Sequence, residues 1–387
     1  MRAFIIAGEV SGDKLGGALM AGLRTLRPDI RFSGVGGEQM QAHGLTSQFD
    51  MNELSVMGIA EILPKYFHLK RRIQETAQAV IDSKPDVMIT IDSPDFSLRV
   101  AKLVKAETNI RCVHYVAPSV WAWRPGRAVK MAKIIDHVLA LLPFEPPYME
   151  AAGMECDFVG HPVVGEPVAS KAEVKAFRVL HGFEDADPLL LVLPGSRRGE
   201  VTRLAPVLGE VLAPILAAHP KLKVVVPAAG PVAALVQEQA KDWPVVPLVL
   251  DPRAKTLDAA TKEKRAAFGA ADFAIAASGT VMLELAAANT PVVSAYNLNW
   301  LSFQIMSRMA LVDTANLINL VSETRHVPEF IGGECRSDLI LDGLERLMSD
   351  PEPQRAAMAL TMDRLGQGGE EPGLRAARAV LDRMPQQ

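Results

Sequence analysis

Residues 189–208 read LLLVLPGSRRGEVTRLAPVL, and the fold can be worked outward from them. The apolar run 189–193 is short and unbroken, the pattern of a strand buried on both faces. Pro194-Gly195 ends it, and Ser196, Arg197, Arg198 and Glu200 follow. Apolar residues then recur at helical spacing: Val201, Leu204, Leu208, Val211 and Ile215. An α/β protein builds an anion site in this way. The first amides of a helix have no partner within the helix and carry the positive end of its dipole. Arg197 adds a planar fork that grips phosphate through two bonds. Within the helical pattern, Pro206 is expected near the helix start and Pro214 at a kink.

The same alternation extends in both directions. Residues 3–7 predict a first strand, GEVSGD (8–13) a polar turn, and Leu15, Leu19, Leu23 and Leu26 a helix stopped by Pro28. A strand at 31–35 completes a βαβ unit, so a parallel sheet is expected. Residues 55–82 read as helical with a break at Pro64. Further strands are predicted at 87–91, 111–116, 137–142 and 156–159. Gly160-His161-Pro162, Gly165 and Pro167 form the best linker. A capping box, Ser170 with Glu173, then opens a helix. A second strand series follows at 189–193, 223–227, 245–250, 273–276 and 291–294. The domains expected are 1–163, 164–350 and a helical tail, 351–387. That tail packs back on the first domain or reaches a second subunit, which would make a homodimer. The GxGxxG fingerprint is missing after the first strand, which argues against a nicotinamide cofactor.

The chain has 387 residues, too many for one ordinary core, and 49% are apolar, which excludes disorder. A net charge of −4 gives no ground for a nucleic-acid partner. Cys112, Cys156 and Cys335 fit neither a disulfide framework nor a zinc spacing, so a reducing cytoplasm is expected. No run reaches about eighteen apolar residues, so a membrane would be met from the side.

Four further groups are candidates for function. Ala277-Ser278-Gly279-Thr280 follows a strand and opens a helix, and its small residues let a diphosphate approach the backbone. Glu284 lies one turn on, placed to accept bonds from two ribose hydroxyls or simply favoured by the helix start. Asp92 and Asp95 flank Ser93-Pro94 at a strand's carboxyl end, where α/β sheets bind ligands. They suit a general base, a metal pair or a helix cap; no further ligand lies adjacent, so no metal is expected. Glu9, with Ser11 and Asp13, forms a polar turn of weak signal. Two basic clusters, Lys65-Tyr66-Phe67-His68 with Lys70, Arg71 and Arg72, and Arg124, Arg127, Lys130 and Lys133, are solvated faces or rests for an anionic membrane.

Taken together, GEVSGD (8–13), SPDF (93–96), HYVAPSVWAW (114–123), PFE (143–145), GHP (160–162), PGSR with Glu200, SGTxxLE (278–284) and Ala315-Asn316-Leu317 resemble the lipid-A-disaccharide synthases. That family is one of inverting glycosyltransferases with the GT-B fold, two Rossmann-like domains facing across a cleft. The resemblance implies a donor, UDP-2,3-diacylglucosamine, and an acceptor, 2,3-diacylglucosamine 1-phosphate, joined β(1→6) with release of UDP and without a cofactor. It implies that Ser196, Arg197, Ser278, Gly279, Thr280 and Asn316 hold the diphosphate, with Glu200 in the same loop, and that Glu284 holds the ribose. Asp95 matches the family's base, with Asp92 and Glu9 beside it. Family members usually have Pro where this chain has Ala315. Acylated substrates turn residues 57–72 into the expected membrane-facing or acyl-accepting segment, with the protein on the inner face of the inner membrane. The competing readings are another GT-B-like enzyme on UDP-N-acetylglucosamine, such as an epimerase or a different glycosyltransferase, and a non-catalytic nucleotide-sugar sensor.

Overall fold

The structure, a computed structural model, describes residues 1–54, 59–298, 303–304 and 308–384, with the backbone alone described for 59–66. The chain divides into two compact units, Met1–Gly165 with Leu365–Gln387, and Glu166–Arg364.

The first unit is a parallel sheet of β1 (Arg2–Ala7), β2 (Arg31–Val35), β3 (Val87–Ile91), β4 (Arg111–Tyr115), β5 (His137–Ala140) and β6 (Glu155–Phe158). Among the described residues the strand order is β2-β1-β3-β4-β5-β6. The order reverses between β1 and β3, and in open α/β sheets that reversal opens a crevice at the carboxyl ends of the strands. The central strands β1 and β3 are apolar runs because both faces are covered: Phe4, Ile5, Ile6, Met88 and Ile89 are fully buried. At Gly34 the φ is +142°, and a Cβ would lie 1.8 Å from the Ile5 carbonyl oxygen, so only glycine fits beside β1. Helix α1 (Val10–Leu26) lays Leu15, Leu19 and Leu23 on the sheet. Helices α2 (Glu38–Ala42), α3 (Ile59–Ser83), α4 (Pro94–Glu107), α5 (Gly126–Met131) and α6 (Pro146–Glu150) complete this part. Backbone helix runs through Pro64, where the sequence predicted a break.

The second unit starts with α7 (Lys171–Leu180), capped by the expected Ser170–Glu173 box. Its strands are β7 (Leu189–Leu193), β8 (Lys223–Pro227), β9 (Leu248–Leu250), β10 (Phe273–Ala277), β11 (Val292–Tyr296) and β12 (Glu329–Ile331). All pairings are parallel, in the order β12-β11-β10-β7-β8-β9, with the reversal between β7 and β10. Helix α8 (Arg198–Ala218) follows β7 and carries both Pro206 and Pro214 inside it. This corrects the expectation that Pro206 lies near the helix start. The prolines and the residues four before them, Thr202 and Glu210, all lie on the exposed face, so the freed carbonyls can turn to water. The opposite face, Val201, Leu204, Leu208, Val211 and Ile215, is buried and holds the helix on the sheet. By length and composition α8 is the one helix among the described residues apolar enough to cross a membrane. The remaining helices are α9 (Ala233–Gln239), α10 (Leu257–Ala270), α11 (Val281–Ala287), α12 (Leu317–Ser322), α13 (Ser337–Ser349) and α14 (Glu352–Arg364).

The tail divides differently from the reading 351–387. Helix α14 packs against α11 and α12 and stays with the second unit; only the last helix, α15 (Pro372–Asp382), belongs to the first. It lies so close to α1 that a Cβ on Gly22 would sit 2.6 Å from the Gly373 carbonyl oxygen. Ala376, Ala377 and Val380 enter the first unit's core, and Arg375 donates to the Phe158 carbonyl at 3.1 Å.

Candidate active site

At the reversal between β7 and β10 the second unit holds a cavity of about 410 Å³. Two loops form it, one after each strand. Ser196, Arg197 and Glu200 come from the first, and Ser278, Gly279, Thr280 and Glu284 from the second. Residues more than 80 positions apart are thus brought to one place by two adjacent parallel strands, paired Ala276 with Leu193. Gly279 is exposed, and a Cβ there would meet nothing within 4 Å. The structure itself does not demand glycine at 279, so its smallness leaves room for something else.

The loop after β7 is built differently from the sequence expectation. The Glu200 carboxylate turns back and accepts from the Ser196 amide at 3.1 Å, the Arg197 amide at 3.2 Å and the Arg197 guanidinium at 3.0 Å. Gly195, at φ +118°, lets the chain close over it, since a Cβ would lie 2.6 Å from Glu200 Cβ. The Tyr296 hydroxyl completes the shell at 3.4 Å. Glu200 is therefore an internal cap for this loop rather than a group reaching for ligand. An incoming phosphate finds the two amides already engaged, with the Arg197 side chain 71% exposed beside them.

Asn316 also departs from its expected place. It is fully buried and is not among the residues of the cavity wall. Its Oδ1 caps α12, accepting from the Ile318 amide at 2.9 Å and the Asn319 amide at 3.4 Å, while its buried Nδ2 has no partner among the described residues. Conversely, Lys264 of α10 stands in the cavity wall and was missed from the sequence. Its ammonium pairs with Glu284 at 2.5 Å and lies 5.2 Å from the centre of the Phe268 ring.

In the first unit, β1 and β3 end side by side, with Ala7 opposite Ile91. The turns that follow, Gly8-Glu9 and Asp92-Ser93, are in contact: a Cβ on Gly8 would lie 2.5 Å from Ser93 Oγ. Asp92 and Ser93 both take the left-handed backbone, at φ +48° and +44°. Each costs on the order of 1–3 kcal/mol for a residue other than glycine, and such strain collects at functional sites. Ser93 then enters α4 through Pro94, leaving Asp95 exposed in its first turn and Asp92 half-buried. Asp13, by contrast, is a structural group. It is buried and accepts from the Gly37, Gln39 and Met40 amides at 2.8, 2.9 and 3.1 Å, fixing the loop into α2.

The neighbouring loops are ordered by a buried carboxyl. Glu145 accepts from Trp121 Nε1 at 3.2 Å and from the Leu141 and Leu142 amides at 3.1 and 3.0 Å. Burial pushes its pKa up to about 7, although these donors oppose the rise. Trp121 stacks edge-on against Phe144, with ring centres 5.0 Å apart. Below them His114 bonds Thr90 Oγ1 at 2.8 Å, and burial lowers its pKa to about 4. Among the described residues no three His, Cys, Asp or Glu side chains converge as a metal cage requires.

Of the expected membrane segment 57–72, residues 57–58 and the side chains of 59–66, Lys65 and Tyr66 among them, lie outside the described residues. In the rest, Phe67, Lys70 and Arg71 are exposed. Arg72 turns inward to Glu53, donating at 2.8 and 2.9 Å, and covers the Phe49 ring at 4.5 Å. His68 joins Glu53 at 2.6 Å.

The profile of the lipid-A-disaccharide synthetase family matches residues 3–380. A lipid-A-disaccharide synthase of Ruegeria pomeroyi is 64% identical over 385 residues, covering 100% of this chain and 96% of the relative. One of Rhodospirillum centenum is 44% identical over 384 residues, covering 98% and 94%. Among solved structures, UDP-GlcNAc 2-epimerase from Neisseria meningitidis bound to UDP-GlcNAc has a TM-score of 0.65 at 12% identity, covering 99% of each chain. A glycosyltransferase from Rickettsia africae has a TM-score of 0.59 at 10% identity, covering 99% of this chain and 98% of that one. At such low identity these likenesses speak for the fold alone, which is GT-B. Sequence over the full length decides among the activities this fold carries: the chain belongs to the lipid-A-disaccharide synthetase family.

Proposed function

We propose that the cavity of the second unit takes the UDP of the donor and that the carboxylates after β1 and β3 of the first unit activate the acceptor hydroxyl. The reaction comes with the family. UDP-2,3-diacylglucosamine donates its sugar to the 6-hydroxyl of 2,3-diacylglucosamine 1-phosphate, giving the β(1→6) disaccharide 1-phosphate and UDP. The single observation supporting the donor assignment is the convergence of the loops after β7 and β10 on one cavity at the strand-order reversal. Ser278, Gly279 and Thr280 take the diphosphate together with Ser196 and Arg197, and Glu284 accepts from the ribose hydroxyls.

Inversion requires the hydroxyl to attack the anomeric carbon from the face opposite UDP. Asp95 removes the proton as the new C–O bond forms. The bond to the β-phosphate oxygen breaks, and UDP leaves with the electron pair. Asp92 and Glu9 flank the base. A positioned base of this kind is worth about 10²–10⁴-fold. Arg197 and the hydroxyls and amides of the 278–280 loop offset the charge that grows on the leaving diphosphate. The acyl chains of both substrates require approach to a bilayer, on the inner face of the inner membrane, and Phe67, Lys70 and Arg71 form the edge that meets it.

The test supplies the full chain with both acylated sugars and reads the products by mass spectrometry. Acceptor-dependent disaccharide and UDP are the expected result. Epimerised UDP-N-acetylglucosamine without acceptor, or nucleotide binding without turnover, would overturn the assignment.

A further inference from the structure

Both carboxylates in the wall of the donor cavity are paired with a cation, Glu200 with Arg197 and Glu284 with Lys264. The first pair belongs to one loop. The second joins two helices, α10 and α11, whose partners are 20 positions apart. Lys264 and Glu284 are each 42% exposed, and an ion pair that open to solvent adds little to folding stability. What it can do is fix a direction. Glu284 sits in the first turn of α11 and in the cavity wall, on a side chain with three rotatable bonds. The Lys264 ammonium holds its Oε2, and the Phe268 ring holds the ammonium from behind at 5.2 Å. One carboxylate oxygen is thereby anchored and the other is left to accept.

We propose that Lys264 is a positioning residue for nucleotide recognition. It orients Glu284 toward the two hydroxyls of the donor's ribose, and so makes the site prefer a ribonucleotide to its 2′-deoxy form. The inference rests on the reading that UDP occupies this cavity with its ribose on Glu284. A pre-oriented acceptor has already given up the rotamer freedom it would otherwise lose on binding, so the gain appears in donor affinity and not in the chemical step.

The test is calorimetric titration of the full chain with UDP and with 2′-deoxy-UDP, alongside donor kinetics. Lys264→Met is expected to weaken UDP binding roughly tenfold and 2′-deoxy-UDP binding less than about twofold, since one hydrogen bond to a charged group is at stake. The donor KM should rise with kcat nearly unchanged, and Lys264→Arg should restore the preference for UDP. Equal weakening of both nucleotides would overturn the proposal, because Lys264 would then act as a plain charge on the diphosphate. Unchanged discrimination in Lys264→Met, with UDP binding still sensitive to Gly279→Ala, would also overturn it and leave the cavity assignment standing. UDP binding indifferent to both substitutions would remove the cavity assignment itself.

Discussion

Gly279→Ala separates the two demands that a binding loop places on a protein. In the folded chain an added Cβ at 279 meets nothing within 4 Å, and the backbone there is not in the left-handed region. The substitution therefore leaves the folded state untouched and removes freedom from the unfolded chain, worth about 0.4–1 kcal/mol of added stability. For a unit of this size that raises Tm by roughly 1–4 °C. Binding moves the opposite way. If a phosphate oxygen approaches the amides of this turn, a methyl group on the same face displaces it. About two hydrogen bonds to a charged group are then lost, each worth roughly 1.5–3 kcal/mol, so UDP affinity should fall by about 10²–10⁴-fold. Scanning calorimetry without ligand gives the first quantity and isothermal titration with UDP the second. A variant that binds UDP as tightly as the parent refutes the placement of the diphosphate. A variant that melts lower refutes the statement that the space beside Gly279 is open.

Three other outcomes are expected. Asp95→Asn should lower kcat by about 10²–10⁴-fold with UDP affinity unchanged, as loss of a general base does; an active variant would move the role to Asp92 or Glu9. For Glu145, burial holds the folded pKa near 7, above its ordinary value of 4.5, so the folded state carries the extra proton between those limits. Its contribution is then fully present below pH about 4.5 and is lost as pH rises through 7, about 3 kcal/mol in all. Urea unfolding across this range should show that Glu145→Gln removes the slope, and parallel profiles for parent and variant would contradict it. Phe67→Ala with Lys70→Glu should weaken co-sedimentation with anionic vesicles several-fold, whereas Arg72→Gln should cost stability through Glu53 and leave vesicle binding alone; vesicle binding indifferent to the first pair would refute that face.

The centres of both sheets were legible because central parallel strands covered on two faces are unbroken apolar runs, and 87–91 and 189–193 could be read to the residue. The edge strand Glu329–Ile331 was not legible, since three half-buried residues carry no period. Pro206 misled because its effect depends on which face it occupies, and a face is a tertiary fact. Within the site, the loops were legible from strand, small residues and helix start. The partners of their charged groups were not. Glu200 lies three residues after Arg197, the spacing of a capping box, but an arginine at the cap position hid it. Lys264 reaches Glu284 across two helices, and no sequence spacing announces such a pair. Asn316 followed a motif that resemblance supplied, yet here its oxygen caps α12 from within the core. Asp13 could have been recognised as structural only by seeing three amides converge on it.

The account turns on where the nucleotide lies, so its most direct test is a crystal structure of the full chain with UDP. The account predicts diphosphate oxygens within about 2.7–3.2 Å of the Ser278–Thr280 loop and ribose hydroxyls on the free oxygen of Glu284, with Lys264 still holding the other. Uridine bound elsewhere, or in this cavity with Glu284 and the 278–280 loop bare, would contradict it.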